Sequence, residues 1–540
     1  MPMVRVAAAQ FAAGTDVTNN LDACLRMIDA AAEARAELVV LPEFCNHLSW
    51  YADRAHARGM ACTTGDFFLT AIAERAARHA MSVKLGVTLA RPDGRTTATG
   101  LLFGPAGELL GESDKQILMG AENDHLDPGT ADSPVIPTRS ARIGMYACME
   151  GVIPEVTRSL AARGAQLLLN SLNSFATDEA RLHIPVRAAE NRVWVVAANK
   201  IGPLLPEAQL PDIAERLGVP ADRLHGAGES QIVAPDGTVV AKAPPTGEAL
   251  AVADIDVARA DDKRRPDGTD LFAARRPRLY RPLGRPARRR APAGAESVSA
   301  AVVAPALDSI AASIAAGARL IVLPELAPIP VMDVVAALRG SPAHAVLTVR
   351  DRDRHTGLLV SADGIVGRQD QLHHTERHPW LCELGSELTV FPLSWGRLAI
   401  VVGDDALFPE TFRLAAVADA DVAAVCCTPI ETWELSLGLP ERSAENRLNI
   451  VAAGTAATGE LTGGIHTLTP DFTLWTAWRG PFTGSISHPV TTVVAPGSTV
   501  VRAEIAPAQA VNRAVSKGTD LIADRPAAAL ATLTRELEHR

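Results

Sequence analysis

The 540-residue chain carries 52 basic and 62 acidic side chains, a formal net charge of -10. That balance gives no general attraction to nucleic acid or to an anionic membrane surface. Hydrophobic residues at 47% and charged residues at 21% are ordinary globular usage, enough to bury the cores of roughly two to four domains.

The N-terminus runs directly into an apolar strand, Val4–Ala9, without the charged region, apolar core and cleavage site of a signal peptide. Leu21, Leu25 and Ile28 follow at helical spacing, with Asn19 or Asn20 placed to cap the helix. Glu37–Leu41 reads as a second strand. Further on, Ile143–Ala147 is a strand that ends at Cys148, and a helix is expected with Pro154 at its first position and Gly164 as its stop. Strands alternating with helices predict α/β layers, although pattern alone leaves the order of strands in the sheet open. No apolar run approaches 18 residues, so no membrane span is expected, and the cytoplasm is the expected location.

The seven cysteines, Cys24, Cys45, Cys62, Cys148, Cys382, Cys426 and Cys427, are odd in number and scattered, and no pair has zinc-ligand spacing. Neither a disulfide framework nor a metal or other cofactor is expected. A free thiol in a reducing compartment is.

Segments of the first half recur in order in the second. Residues 253–271, from Ala-Asp-Ile-Asp to Gly268-Thr269-Asp270-Leu271, return without a gap at 503–521, ending Gly518-Thr519-Asp520-Leu521. Leu41-Pro42-Glu43 returns as Leu323-Pro324-Glu325, Ile153-Pro154-Glu155 as Phe408-Pro409-Glu410, and Pro185–Arg192 as Pro440–Arg447. The chain reads as a tandem duplication. Copy one is expected over residues 1–282 and copy two over 298–540. Residues 283–297, rich in Pro, Arg, Ala and Gly, are expected to form a linker. The arginines from Arg275 to Arg290 read as a solvated basic connector rather than a nucleic-acid patch. The shared Glu-Asn-Arg triplet, Glu190-Asn191-Arg192, reads as a structural ion-pair and hydrogen-bond network.

Cys148 stands where a strand gives way to a helix. A sharp turn there exposes a thiol, and a following helix N-terminus stabilises a thiolate. A lone cysteine is nevertheless more often a small buried hydrophobe. The order of its companions resembles the nitrilase superfamily of carbon–nitrogen hydrolases. Glu43 follows an apolar strand in Leu41-Pro42-Glu43-Phe44, Lys115 lies in Asp114-Lys115-Gln116-Ile117-Leu118, and Cys148 precedes Glu150 and Ile153-Pro154-Glu155. Glu122, shortly before Pro128-Gly129, matches the family's additional glutamate. The resemblance covers residues 3–282. It implies a four-layer αββα sandwich for each copy, with the two copies forming an internal pseudo-dimer that can assemble further. It also implies a Glu43-Lys115-Cys148 triad assisted by Glu122. A carboxylate base is needed because a thiol near pKa 8.5 is mostly protonated at neutral pH. Lys115 and the backbone N–H after Cys148 would receive the negative charge that develops on the substrate.

Copy two has Gly403 in place of Cys148 and Gln371 in place of Lys115. It keeps Glu325, and it is about 26 residues shorter between Glu325 and Gly367 than copy one is between Glu43 and Gly111. It is expected to be non-catalytic. His373, His374, His378, Asp404 and Asp405 have no standard metal-ligand spacing. The function implied is hydrolysis of a small amide or N-carbamoyl compound. A nitrilase, or a binding or scaffold protein of the same fold, is the alternative. A glutaminase feeding a synthetase is disfavoured, because nothing in residues 298–540 resembles a phosphate-binding Gly-rich loop. Tyr146, Met149, Asn173 and Trp194 are the expected substrate contacts, with His47 and Trp50 as further candidates.

Overall fold

A computed structural model describes residues 3–286, 290–473 and 482–536. Copy one runs β1 (Val4–Gln10), α1 (Val17–Glu33), β2 (Leu38–Val40), α2 (Arg54–Met60), α3 (Phe67–His79), β3 (Ser82–Ala90), β4 (Thr96–Phe103) and β5 (Leu109–Asp114). It continues through the one-turn α4 (Glu122–His125), β6 (Val135–Pro137), β7 (Arg142–Ala147), α5 (Glu155–Ala162), β8 (Leu167–Ser171), α6 (Ile184–Asn191) and β9 (Trp194–Ala198). It closes with α7 (Leu210–Leu217), β10 (Gln231–Val233), β11 (Val239–Lys242) and β12 (Ala249–Ile255).

These strands make two six-stranded sheets, ordered β12-β1-β2-β3-β4-β5 and β11-β10-β9-β8-β7-β6. The central pairs are parallel and the outer ones antiparallel. Central strands such as Leu38-Val39-Val40 are uniformly apolar because both their faces are covered. On the outside of the first sheet, Ile28, Phe68 and Ile72 of α1 and α3 pack on Val39 and Leu85. Between the sheets lie Val40, Leu102, Met145, Leu169 and Val196. The second sheet's outer face carries α5 and α6. The cluster there runs without a break from Val156, Leu160 and Ala188 into Phe412, Ala415 and Leu448 of copy two. Copy two repeats both six-stranded sheets in the same order. The molecule is thus two four-layer αββα sandwiches packed back to back through their helices.

The ion pairs between the copies obey the same pseudo-twofold relation. Arg158 pairs with Glu410 at 3.0 Å and Arg413 with Glu155 at 2.9 Å, all four side chains buried. Arg187 binds Glu190 at 2.6 Å and also reaches Glu441 and Glu445, while Arg442 returns to Glu190. The Glu-Asn-Arg triplet is therefore structural, as its presence in both copies suggested.

Two expectations change. The cap of α1 is Asp16, whose carboxylate accepts from Thr18 N and Asn19 N. Asn20 instead turns inward to bond Gly14 and Asn46. The basic connector is not solvated along its length. Arg275 is buried against Glu410 at 2.9 Å, Arg276 donates to Leu372 O and Gly385 O, and Arg290 donates to Ala510 O. Residues 287–289 of the expected linker lie outside the described residues. The tail of each copy is packed on the other. Leu279, Tyr280 and Leu283 sit with Leu372, Leu414 and Leu530, and Thr519 Oγ1 donates to Leu118 O at 2.6 Å. Among the described residues no helix is long and apolar enough to cross a membrane.

Candidate active site

The sandwich brings the four expected residues together at one end of the sheets. Lys115, just past β5, is the hub: its Nζ lies 2.9 Å from Glu43 Oε1 and 2.8 Å from Glu122 Oε2. Glu43, Lys115, Glu122 and Cys148 are all buried. Burial works against a charge on Lys115, but the carboxylates of Glu122 and Glu43 outweigh it and hold its ammonium well above the usual lysine range. Burial pushes Glu43 up to about 7 against the pull of Lys115. It also raises the Cys148 thiol well above its ordinary value, with Lys115 opposing. The resting site therefore holds a protonated thiol beside a carboxylate whose proton affinity suits it to act as a base near neutral pH.

Cys148 opens a short 3-10 turn, Cys148–Gly151, after β7, and has φ 47°. That left-handed conformation is strained for a residue with a Cβ. Asn170 Oδ1 accepts from Cys148 N at 3.1 Å and fixes the elbow. Glu150 clamps the two segments that meet at the site, accepting from Gln116 N at 2.6 Å and Ala147 N at 2.8 Å. The N–H of Met149 lies in the first turn, where a backbone donor has no intrahelical acceptor.

The expected substrate contacts divide. Asn173 is half-buried, its Nδ2 bonded to Ser49 Oγ at 2.9 Å and its Oδ1 without a partner among the described residues. Tyr146 is buried beside Gly151 and Asn170. Met149 is fully buried in the apolar cluster that joins the copies. Trp194 is a correction. It starts β9, pairs with Leu167 and packs between the sheets with its Nε1 on Asp256 O. The catalytic end of that parallel strand is Ala198, about 13 Å away at roughly 3.3 Å per residue. His47 stacks on Tyr51, and Trp50 bonds Gln209.

Several residues at the site escaped the sequence reading. Lys84 on β3 points into the space between the sheets, where its neighbours in register, Val40 and Leu102, are core residues. Its Nζ donates to Ser171 Oγ at 2.5 Å. Lys200 donates to Phe44 O at 3.1 Å, next to Glu43. The signal for Lys84 was a single charge in the middle of an otherwise apolar strand. Copy two places Val346 and Cys426 where the register puts Lys84 and Ser171. The segment holding Glu122 is gripped from copy two: Gly120 N donates to Ser516 Oγ at 3.0 Å, and Asn123 Nδ2 donates to Lys517 O at 2.9 Å.

Copy two preserves the scaffold of this site with other residues, Gly403 at the Cys148 position and Gln371 at the Lys115 position. Gly403 has φ 54°, matching Cys148, and so keeps the elbow with the residue for which that backbone costs least. Asp405 repeats the clamp of Glu150 by accepting from Leu372 N and His373 N. Although burial alone would raise it, His378 and Arg377 draw the Glu325 carboxyl down to about 2. Glu325, His355 and His378 bring ligand atoms within 4.8 Å of one another. The Arg377 guanidinium already sits 2.6 Å from the same Glu325 oxygen, so the carboxylate charge is met by the protein. A Cβ at Gly403 would lie 2.5 Å from Glu325 Oε1. Gly403→Cys placed in a Cys148→Ala chain is therefore expected to restore no turnover, because the new thiol lacks room and Glu325, held down to about 2, is too weak a base to take its proton. Ammonia release from the double variant is the check.

Known proteins resemble the first half of the chain. Residues 5–265 match the carbon–nitrogen hydrolase family. The chain is 28% identical over 256 residues to a nitrilase of Pyrococcus abyssi, covering 47% of this chain and 90% of that protein. It is 30% identical over 171 residues to an N-carbamoylputrescine amidase of Arabidopsis thaliana, covering 30% of this chain and 54% of that one. Among solved structures, an amidase from Nesterenkonia sp. aligns at 24% identity with a TM-score of 0.41, covering 49% of this chain and 94% of that one. Through its first half the chain belongs to the carbon–nitrogen hydrolases of the nitrilase superfamily.

Proposed function

We propose that copy one, residues 1–282, hydrolyses the C–N bond of a small carboxamide or N-carbamoyl compound, and that copy two, residues 298–540, is a non-catalytic partner. The observation that supports this best is the buried Lys115 ammonium held between Glu43 and Glu122 beside the strained Cys148. Glu43 takes the Cys148 proton as sulfur attacks the carbonyl carbon. Lys115 and the Met149 N–H receive the developing oxyanion. The amine leaves with the proton that Glu43 returns, forming a thioester. Glu43 then takes a proton from water, which attacks the thioester and releases the acid and the free thiol. Glu122 holds Lys115 by accepting from its Nζ. The amidase reading is favoured over the nitrilase one by the Ile153-Pro154-Glu155 context after the cysteine, and relatives of both kinds are found.

The test is ammonia release from a panel of small amides, N-carbamoyl amines and nitriles by the intact chain. The expected result is turnover of an amide with one ammonia per carboxylic acid formed, or of an N-carbamoyl amine with one ammonia and one carbon dioxide per amine formed. Turnover confined to nitriles would replace this reading with the nitrilase alternative.

A further inference from the structure

The two copies solve one electrostatic problem differently. Glu179 opens the π-helical turn Glu179–His183, and Glu434 opens the matching turn Glu434–Gly438 in copy two. Glu434 receives a guanidinium: Arg265, from the tail of copy one, places Nη2 2.7 Å from Glu434 Oε1 and Nη1 3.5 Å from Asp404 Oδ1, with its side chain wholly buried. The repeated segment puts Val515 where copy one's tail has Arg265, and Val515 lies in the apolar cluster with Tyr146 and Met149. Glu179 is therefore the counterpart of an arginine-bound carboxylate without the arginine. It is 2% exposed, and among the described residues its Oε2 has no hydrogen-bond partner. A buried carboxyl left so holds its proton near neutral pH, and a cation that arrives beside it favours the charged form.

Glu179 Oε2 would lie 3.9 Å from a Cβ at Gly151, in the turn that Cys148 opens. In copy two a single cavity is lined by Gly403, Thr428 and Glu434, the counterparts of Cys148, Asn173 and Glu179. In copy one burial first, and the Glu179 charge with it, works against ionisation of the Cys148 thiol and the Tyr146 hydroxyl. Burial raises Glu179 to about 8, with His183 and Lys115 opposing and Asp178 and Glu441 adding to it. Asp178 is occupied by the backbone N–H groups of Ile486 and Ser487, and Glu441 by His183 and Arg187. Glu179 is the carboxylate of this group left for a ligand.

We propose that the copy-one site takes an amide or carbamoyl compound bearing a protonated nitrogen group, ammonium or guanidinium, and that Glu179 receives that group as Glu434 receives Arg265. This rests on the hydrolase reading above. Arg265 supplies the template: a three-carbon arm ending in a guanidinium.

The experiment compares butyramide, 4-aminobutyramide and 4-guanidinobutyramide as substrates. Butylguanidinium, which has no amide, serves as a probe that slows iodoacetamide alkylation of Cys148, followed at the Cys148 peptide by mass spectrometry. The expected result is a kcat/KM at least about tenfold higher for the cationic amides, expressed mainly in KM. In Glu179→Gln the ratio of cationic to neutral substrate should collapse towards one. Butylguanidinium should protect Cys148 in the unaltered chain and fail to do so in the variant. Equal turnover of neutral and cationic amides by the unaltered chain, or a preference that survives Glu179→Gln, overturns the proposal without calling on the variant to be stable in the first case. If none of the amides is hydrolysed yet butylguanidinium protects Cys148 through Glu179, the cation site stands and the hydrolase reading falls. If butylguanidinium gives no protection, the cation site falls.

Discussion

Cys148→Ala is expected to lower turnover by at least about 10⁴-fold, the scale on which removing a covalent nucleophile acts. The thioester route needs sulfur, and Glu43 and Lys115 alone offer a water molecule no comparable intermediate. Folding should survive, because alanine fills less of the same buried space and meets the same left-handed backbone. Cys148→Gly should be as inactive. At φ 47° it should also be more stable than the alanine variant by about 1 kcal/mol, an effect that denaturant unfolding can resolve. The rate profile of the unaltered chain carries a second expectation. The active form of Glu43 is the carboxylate, and burial raises it to about 7. Hence kcat/KM should fall about tenfold per pH unit below that value and level off above it. Activity unchanged in Cys148→Ala would remove the thiol mechanism altogether.

Glu410→Ala is expected to destabilise the chain by about 3–5 kcal/mol, the usual cost of leaving buried charge without its partner. Glu410 accepts from Arg158 at 3.0 Å and Arg275 at 2.9 Å, and all three side chains are almost wholly enclosed. The loss should appear as a lower denaturation midpoint, with the two copies no longer unfolding together. Although burial alone would raise it, Arg158 and Arg275 draw Glu410 down to about 2. A depressed carboxyl contributes stability that is complete above the unfolded value near 4.3 and is lost as pH falls towards 2. The variant should lack that part of the acid sensitivity. A midpoint unchanged in Glu410→Ala would mean that the copies do not depend on this contact.

The duplicated pattern, the strand that delivers Cys148 and the ordered set Glu43, Lys115, Glu122 and Cys148 were legible in the chain, because local runs of apolar residues and short motifs are sequence properties. So was the replacement of Cys148 by Gly403 and of Lys115 by Gln371 in copy two. Trp194 was misjudged for a reason of direction. A parallel strand puts its first residue at the end of the sheet away from the site, and strand order is not written in the hydrophobic pattern. The helix cap was misjudged because several polar residues near a helix start can satisfy its N–H groups, and only the packed backbone selects Asp16.

What tertiary structure alone decided lies between distant segments. Lys84 meets Ser171 across the two sheets, Thr519 and Ser516 of copy two hold the segment bearing Glu122, and Arg265 of copy one fills the space beside Glu434. These contacts join residues tens to hundreds of positions apart, and their energies come from burial and charge pairing that exist only once the sandwiches have closed on each other. The sequence determined which side chains are available for chemistry. The folded pair of sandwiches determined which of them, among the described residues, are left without a partner.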